Sequence, residues 1–131
     1  MFCYLHLLEN KRVKLSKLKT IFVDLDGTIC TQTYHPDFAD QPVDYSLAEP
    51  IAERIKVINE LYDKGHHITY WTARGCRSGI DFTELTKDQL NRWGAKYSDL
   101  QVGNKPHFDM YICDKSYNAE SWFQRKGCGL P

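Results

Sequence analysis

Thr20-Ile21-Phe22-Val23, followed at once by Asp24-Leu25-Asp26-Gly27-Thr28, is the stretch that decides the fold. Its first four residues are β-branched or aromatic and apolar on both faces, the pattern of a strand inside a parallel sheet. The run ends abruptly on two acids. Residues two apart in extended chain point the same way, so Asp24 and Asp26 can share one site while Leu25 points into the core. Gly27 allows the backbone to turn away and present amide donors to an anion. Paired carboxylates beside a hard cation and anion-binding donors suit phosphoryl transfer, where a protein chiefly positions groups and neutralises charge. A calcium loop is excluded: with Gly27 as its sixth residue, the first and twelfth would be Phe22 and Thr33, neither a carboxylate. A helix-capping role for Asp26 would leave Asp24 without a purpose.

Working outward, Cys30 to Ser46 is polar, broken by Pro36 and Pro42, and reads as a loop. Pro50 suits a first helical turn; Ile51, Ile55, Ile58 and Tyr62 then recur at helical spacing until Gly65 supplies a stop. His67 to Trp71 reads as a second buried strand, ended by Thr72-Ala73-Arg74-Gly75 and a loop through Gly79. A second helix places Phe82, Leu85, Thr86, Leu90 and Trp93 on one face and ends at Gly94. Short strands are expected at Asp99–Val102 and Asp109–Cys113, and a last helix at Ala119–Phe123. Strand alternating with helix is the signature of an α/β fold, here a three-layer Rossmann-like parallel sheet with right-handed crossovers. Residues 20–131 form one domain and 1–19 an N-terminal extension.

The chain has 131 residues, 42% hydrophobic and 26% charged, ordinary globular usage. Seventeen acidic and seventeen basic residues cancel, which leaves no basic field for nucleic acid. The five cysteines are odd in number and include no Cys-x-x-Cys pair, which reads as reduced thiols in a cytoplasmic protein. The apolar run Met1–Leu8 precedes its basic residues, the reverse of a secretory signal, and is far short of the roughly twenty residues a membrane span needs.

Open parallel sheets bind ligands beyond the carboxyl ends of their strands, and each polar cluster lies at such an end. Asp24 and Asp26 follow the first strand, Thr72 and Arg74 the second; Lys105 precedes the last expected strand and Asp114 follows it. Arg74, next to Thr72 at this edge, is expected to contact substrate. His66-His67 lacks the further ligands of a zinc site. Trp71, Trp93 and Trp122 fall on expected core faces and read as packing rather than a platform for bases.

Phe22-Val23-Asp24-Leu25-Asp26-Gly27-Thr28, Tyr70-Trp71-Thr72-Ala73-Arg74-Gly75, Asn104-Lys105-Pro106 and Tyr111-Ile112-Cys113-Asp114-Lys115 resemble the four ordered motifs of the haloacid dehalogenase superfamily of phosphatases. Gly79-Ile80-Asp81-Phe82-Thr83-Glu84-Leu85-Thr86 is further similar to the small capless phosphatases found with bacterial capsule and surface-polysaccharide biosynthesis. The resemblance runs from about Thr20 to Asn118. It implies a haloacid dehalogenase-like fold with no cap domain, Asp24 as a nucleophile forming an aspartyl-phosphate, and Asp26 as general acid and base. Thr72 and Lys105 would grip the phosphoryl oxygens with the amides of Leu25 and Asp26, and Ala73 and Arg74 would line the substrate side. Mg2+ would be held by Asp24, the Asp26 carbonyl and Asp114. Where the family carries Asp-Asp, this chain has Cys113-Asp114, one negative charge fewer beside the metal.

The implied activity is hydrolysis of a small phosphorylated metabolite, a sugar phosphate or glycan precursor. A catalytically weak phosphate- or metal-binding module is the alternative that Cys113 keeps open, and a phosphatase of macromolecular substrates is a third. Without a cap, the loop's Tyr34, His35 and Phe38, or a neighbouring subunit in a homo-oligomer, would cover the site.

Overall fold

Strand β1 spans Thr20–Val23, helix α1 Ala52–Asp63, strand β2 His67–Thr72, helix α2 Thr83–Arg92, strand β3 Asp99–Val102 and helix α3 Ala119–Gln124, with a 3-10 turn at Tyr45–Leu47 before α1. The structure, a computed structural model, describes residues 18–33 and 43–125. Most of the expected N-terminal extension, and the loop residues Tyr34, His35 and Phe38, lie outside the described residues.

The strands form one parallel sheet in the order β1-β2-β3. Val23 stands opposite Tyr70, and Thr72 opposite Val102, so the carboxyl ends of all three strands lie along one edge. Two successive crossovers step the same way across the sheet, and the right-handed rule puts α1 and α2 on the same face. Their apolar stripes meet that face: Ile55, Ile58 and Leu61 of α1 and Leu90 of α2 share a buried cluster with Val23, Ile68 and Tyr70. Each such side chain contributes about 1.5–3 kcal/mol by leaving water. Within α1 it is Leu61 that is buried and Tyr62 that faces outward. Gly65 and Gly94 end the two helices with φ of 100° and 69°, the left-handed turn that favours glycine.

Three expectations change. The fold is an α/β parallel sheet, but the described residues show helices stacked on one face, while Phe22 on the other stays 55% exposed. No strand forms at Asp109–Cys113. Its apolar pattern suits a strand, yet a strand exists only through pairing, and Met110, Tyr111 and Ile112 lie exposed without a ladder partner. Trp71 is not core packing: its ring meets Phe22 at 5.6 Å, and its indole N–H donates to Asn104 Oδ1 at 3.0 Å.

The stretch from β1 to α1 is tied at its base. Thr31 N–H donates to the Glu49 carbonyl, Glu49 N–H to Thr31 Oγ1, and Cys30 bridges antiparallel to Pro50. Among the described residues no second folded unit appears between these elements, and no helix is long and apolar enough to cross a membrane.

Candidate active site

Asp24 is the first residue past β1, where the ladder stops and the side chain comes free of the sheet. Its Oδ1 accepts the Leu25 amide at 2.8 Å and lies 3.4 Å from Lys105 Nζ. Burial pushes the Asp24 carboxyl above its ordinary value, and the Lys105 ammonium and the Leu25 amide pull it back only in part. Lys105 is itself positioned from below, its ammonium 5.3 Å from the centre of the Trp71 ring. Asn104, the residue before Lys105, accepts the Trp71 indole N–H and so ties the chain to the same ring. The Phe22–Trp71 pair thus serves as a shelf for Lys105, where a cation over an aromatic face gains about 0.5–1 kcal/mol.

Asp26 is oriented differently. The Leu25 carbonyl accepts N–H groups from Thr28, Ile29 and Cys30, while the Gly27 amide donates to the Cys30 carbonyl, curling the chain into a tight turn. Leu25 is fully buried at its base. Both Asp26 carboxylate oxygens meet Arg74: Nε donates to Oδ2 at 2.9 Å and Nη2 to Oδ1 at 2.8 Å. The Cys30 thiol also donates to Asp26 Oδ1 at 3.6 Å. Burial, with Asp26 beside it, pushes that thiol up to about 12, so it stays protonated.

Arg74 was expected to contact substrate. Arg74 is 1% exposed, and it lies behind Asp26 rather than in front of it. Of the Leu25 and Asp26 amides expected to cradle phosphate, that of Leu25 donates to the Asp24 carboxylate. Thr72 is buried at the end of β2, its Oγ1 accepting the Arg74 amide at 3.2 Å. Ala73 is exposed on the turn that follows.

That turn depends on Gly75. Its φ is 84°, and a Cβ there would sit 2.1 Å from the Ile80 carbonyl oxygen. Gly75→Ala therefore combines left-handed strain with a backbone clash and should cost roughly 2 kcal/mol or more. Chemical denaturation of the variant checks this; an unchanged midpoint would mean the turn closes differently.

The expected magnesium donors are two side-chain carboxylates, Asp24 and Asp114, and one backbone carbonyl, that of Asp26. Among the described residues no group of three His, Cys, Asp or Glu side chains gathers to hold a metal. Asp24 faces Lys105, Asp114 is exposed on a separate turn with Cys113 Sγ 3.7 Å from its Oδ1, and the Asp26 carbonyl accepts Gln32 Nε2 at 3.3 Å. By chemistry the expected donors are hard oxygens of the kind magnesium takes, one or two carboxylates with water filling the rest of its octahedral shell. Sequence reasoning also missed Gln89, whose signal was a polar residue three positions after Thr86 on the buried side of a helix.

No family model and no curated protein matches the chain. A crystal structure of a structural-genomics target from Vibrio cholerae is similar, with a TM-score of 0.65 at 24% identity over 83% of this chain and 90% of that one. At that identity the likeness is one of fold, and the fold it supports is a small α/β domain built on a parallel sheet.

Proposed function

We propose that the chain is a capless phosphohydrolase with a haloacid dehalogenase-like fold, acting on a small phosphate monoester such as a sugar phosphate or glycan precursor. The observation that carries this reading is Asp24 at the carboxyl end of β1, 3.4 Å from Lys105 Nζ, with Asp26 two residues on and fixed in place. An Asp24 oxygen would attack phosphorus and form a phosphoryl–aspartate bond as the ester P–O bond breaks. Asp26, entering the step protonated on an oxygen lone pair outside the Arg74 fork, would give that proton to the departing alkoxide and be left as the carboxylate partner of Arg74. The same group would then take a proton from water, whose oxygen attacks phosphorus and returns the Asp24 carboxylate with release of inorganic phosphate. Lys105 offsets negative charge gathering on the phosphoryl oxygens throughout.

A magnesium requirement belongs to the proposal through the resemblance of the four motifs, and no step above passes through the metal. The test is hydrolysis of p-nitrophenyl phosphate by purified protein with magnesium, with EDTA, and with Asp24→Asn. Absence of turnover in magnesium would favour a binding module.

Asp114 and Cys113 give this a finer edge. Asp114→Asn should remove metal-dependent activity, whereas Cys113→Asp, by adding a hard donor beside it, should lower the magnesium concentration giving half-maximal rate. Identical magnesium titrations for wild type, Cys113→Asp and Cys113→Ala would reduce Cys113 to packing, and an unaffected Asp114→Asn would place the metal elsewhere.

A further inference from the structure

Arg74 has five N–H donors, and every one has an acceptor. Nε and Nη2 hold the two Asp26 oxygens, Nη1 donates to Thr86 Oγ1 and to Gln89 Oε1, and Nη2 also reaches Cys30 Sγ at 3.9 Å. The guanidinium lies 4.9 Å from the centre of the Tyr45 ring, and Gln89 Nε2 in turn donates to the Tyr45 carbonyl at 2.7 Å. Thr86 and Gln89 are 0% exposed, one turn apart on α2, where the helix stripe would otherwise be apolar. Burying two uncharged polar residues and a guanidinium is costly unless all are bonded, and here they are bonded to one another. No donor is left over for a substrate phosphate. Among the described residues its charged partner is Asp26, held by a parallel two-point fork, the geometry that fixes a carboxylate in plane and direction.

We infer that Arg74 is a positioning residue: braced by Thr86, Gln89 and Tyr45, it fixes the orientation of the Asp26 carboxylate at the catalytic edge and does not bind substrate. This rests on the phosphohydrolase reading, in which Asp26 moves the proton. The bracing comes from α2, so the orientation of a group at the end of β1 is set by a helix behind the sheet.

The test is steady-state hydrolysis of p-nitrophenyl phosphate by Arg74→Lys, alone and combined with Asp26→Asn. Lysine keeps the charge but loses the fork. Misplacing a reacting group by about 1 Å costs on the order of 100-fold, so kcat should fall by about 10- to 100-fold while KM stays within about twofold. In the Asp26→Asn background the same change should cost no more than about twofold, because Arg74 then has nothing to position. A raised KM at unchanged kcat would make Arg74 a substrate contact and overturn the inference, as would an undiminished loss in the Asp26→Asn background. Should Arg74→Lys fail to fold, Thr86→Val removes one brace at nearly constant shape and is expected to repeat the kcat effect at smaller size; no change in kcat overturns the inference. If wild type shows no turnover, the phosphohydrolase reading fails by itself. Crystal structures of wild type and the folded variant then decide: a rotated Asp26 carboxylate in the variant supports positioning, and an unmoved one refutes it.

Discussion

Asp24→Asn is expected to leave a folded protein without measurable turnover, a loss of at least about 10⁴-fold, because the amide cannot form the phosphoryl–aspartate bond. The fold should survive for reasons visible around the side chain. It is 42% exposed, and its contacts are the neighbouring Leu25 amide and a single ammonium 3.4 Å away. The Lys105 side chain is 16% exposed, so the pair is half-buried and the desolvation of both groups offsets most of their attraction. Burial raises the Asp24 carboxyl above its unfolded value, so folding opposes its ionisation. The sign follows: this penalty is absent below the unfolded value, appears as pH rises toward the folded one, and is complete above it. At pH 7 asparagine removes the penalty together with the Lys105 attraction, and the two changes oppose each other. The melting temperature near neutrality should therefore stay within a few degrees of wild type. Thermal melts beside hydrolysis assays check both halves; near-normal turnover by the variant would move the nucleophile elsewhere.

The parts of this arrangement legible in sequence are those in which neighbours along the chain decide the outcome. β1 and the turn after it follow from an apolar run meeting Asp-x-Asp-Gly, and both helix stops follow from glycines whose φ angles are positive. The pairing of Asp24 with Lys105 was readable as convergence on one edge, because parallel strands put their carboxyl ends together. Arg74 was not legible. Its partners lie 48, 12 and 15 residues away in Asp26, Thr86 and Gln89, and a polar cluster behind a sheet leaves no periodic trace. Adjacency to Thr72 pointed Arg74 toward substrate, but alternation along the chain cannot tell which side of Asp26 an arginine will approach.

Asp109–Cys113 failed for the opposite reason. The segment has the composition of a buried strand, and composition was all that could be read. Phe108 and Tyr111 pack their rings against each other at 5.5 Å, and Ile112 is left 88% exposed. Asp114 follows directly, exposed on the bend after this unpaired segment.

Asp26→Asn should differ from Asp24→Asn in a way that separates chemistry from architecture. Losing the proton-transfer group is expected to slow turnover by about 10²–10⁴-fold. Unlike Asp24, however, Asp26 is, among the described residues, the one acid paired with an arginine whose side chain is fully buried, and its own side chain is 15% exposed. Asparagine presents one carbonyl oxygen and one NH2 group to the guanidinium fork, so one of the two bonds becomes a donor facing a donor. The Arg74 charge is left buried without its counter-ion, a change that typically costs about 3–5 kcal/mol. For a domain of this size that corresponds to a melting temperature lower by roughly 10 °C or more. Adding Arg74→Met should restore part of the stability, since an apolar side chain needs no partner there, while turnover stays lost. Melts and hydrolysis rates for the single and double variants read the two effects apart. A stable Asp26→Asn would show that the fork contributes nothing net to folding, and full activity in it would remove Asp26 from the chemistry altogether.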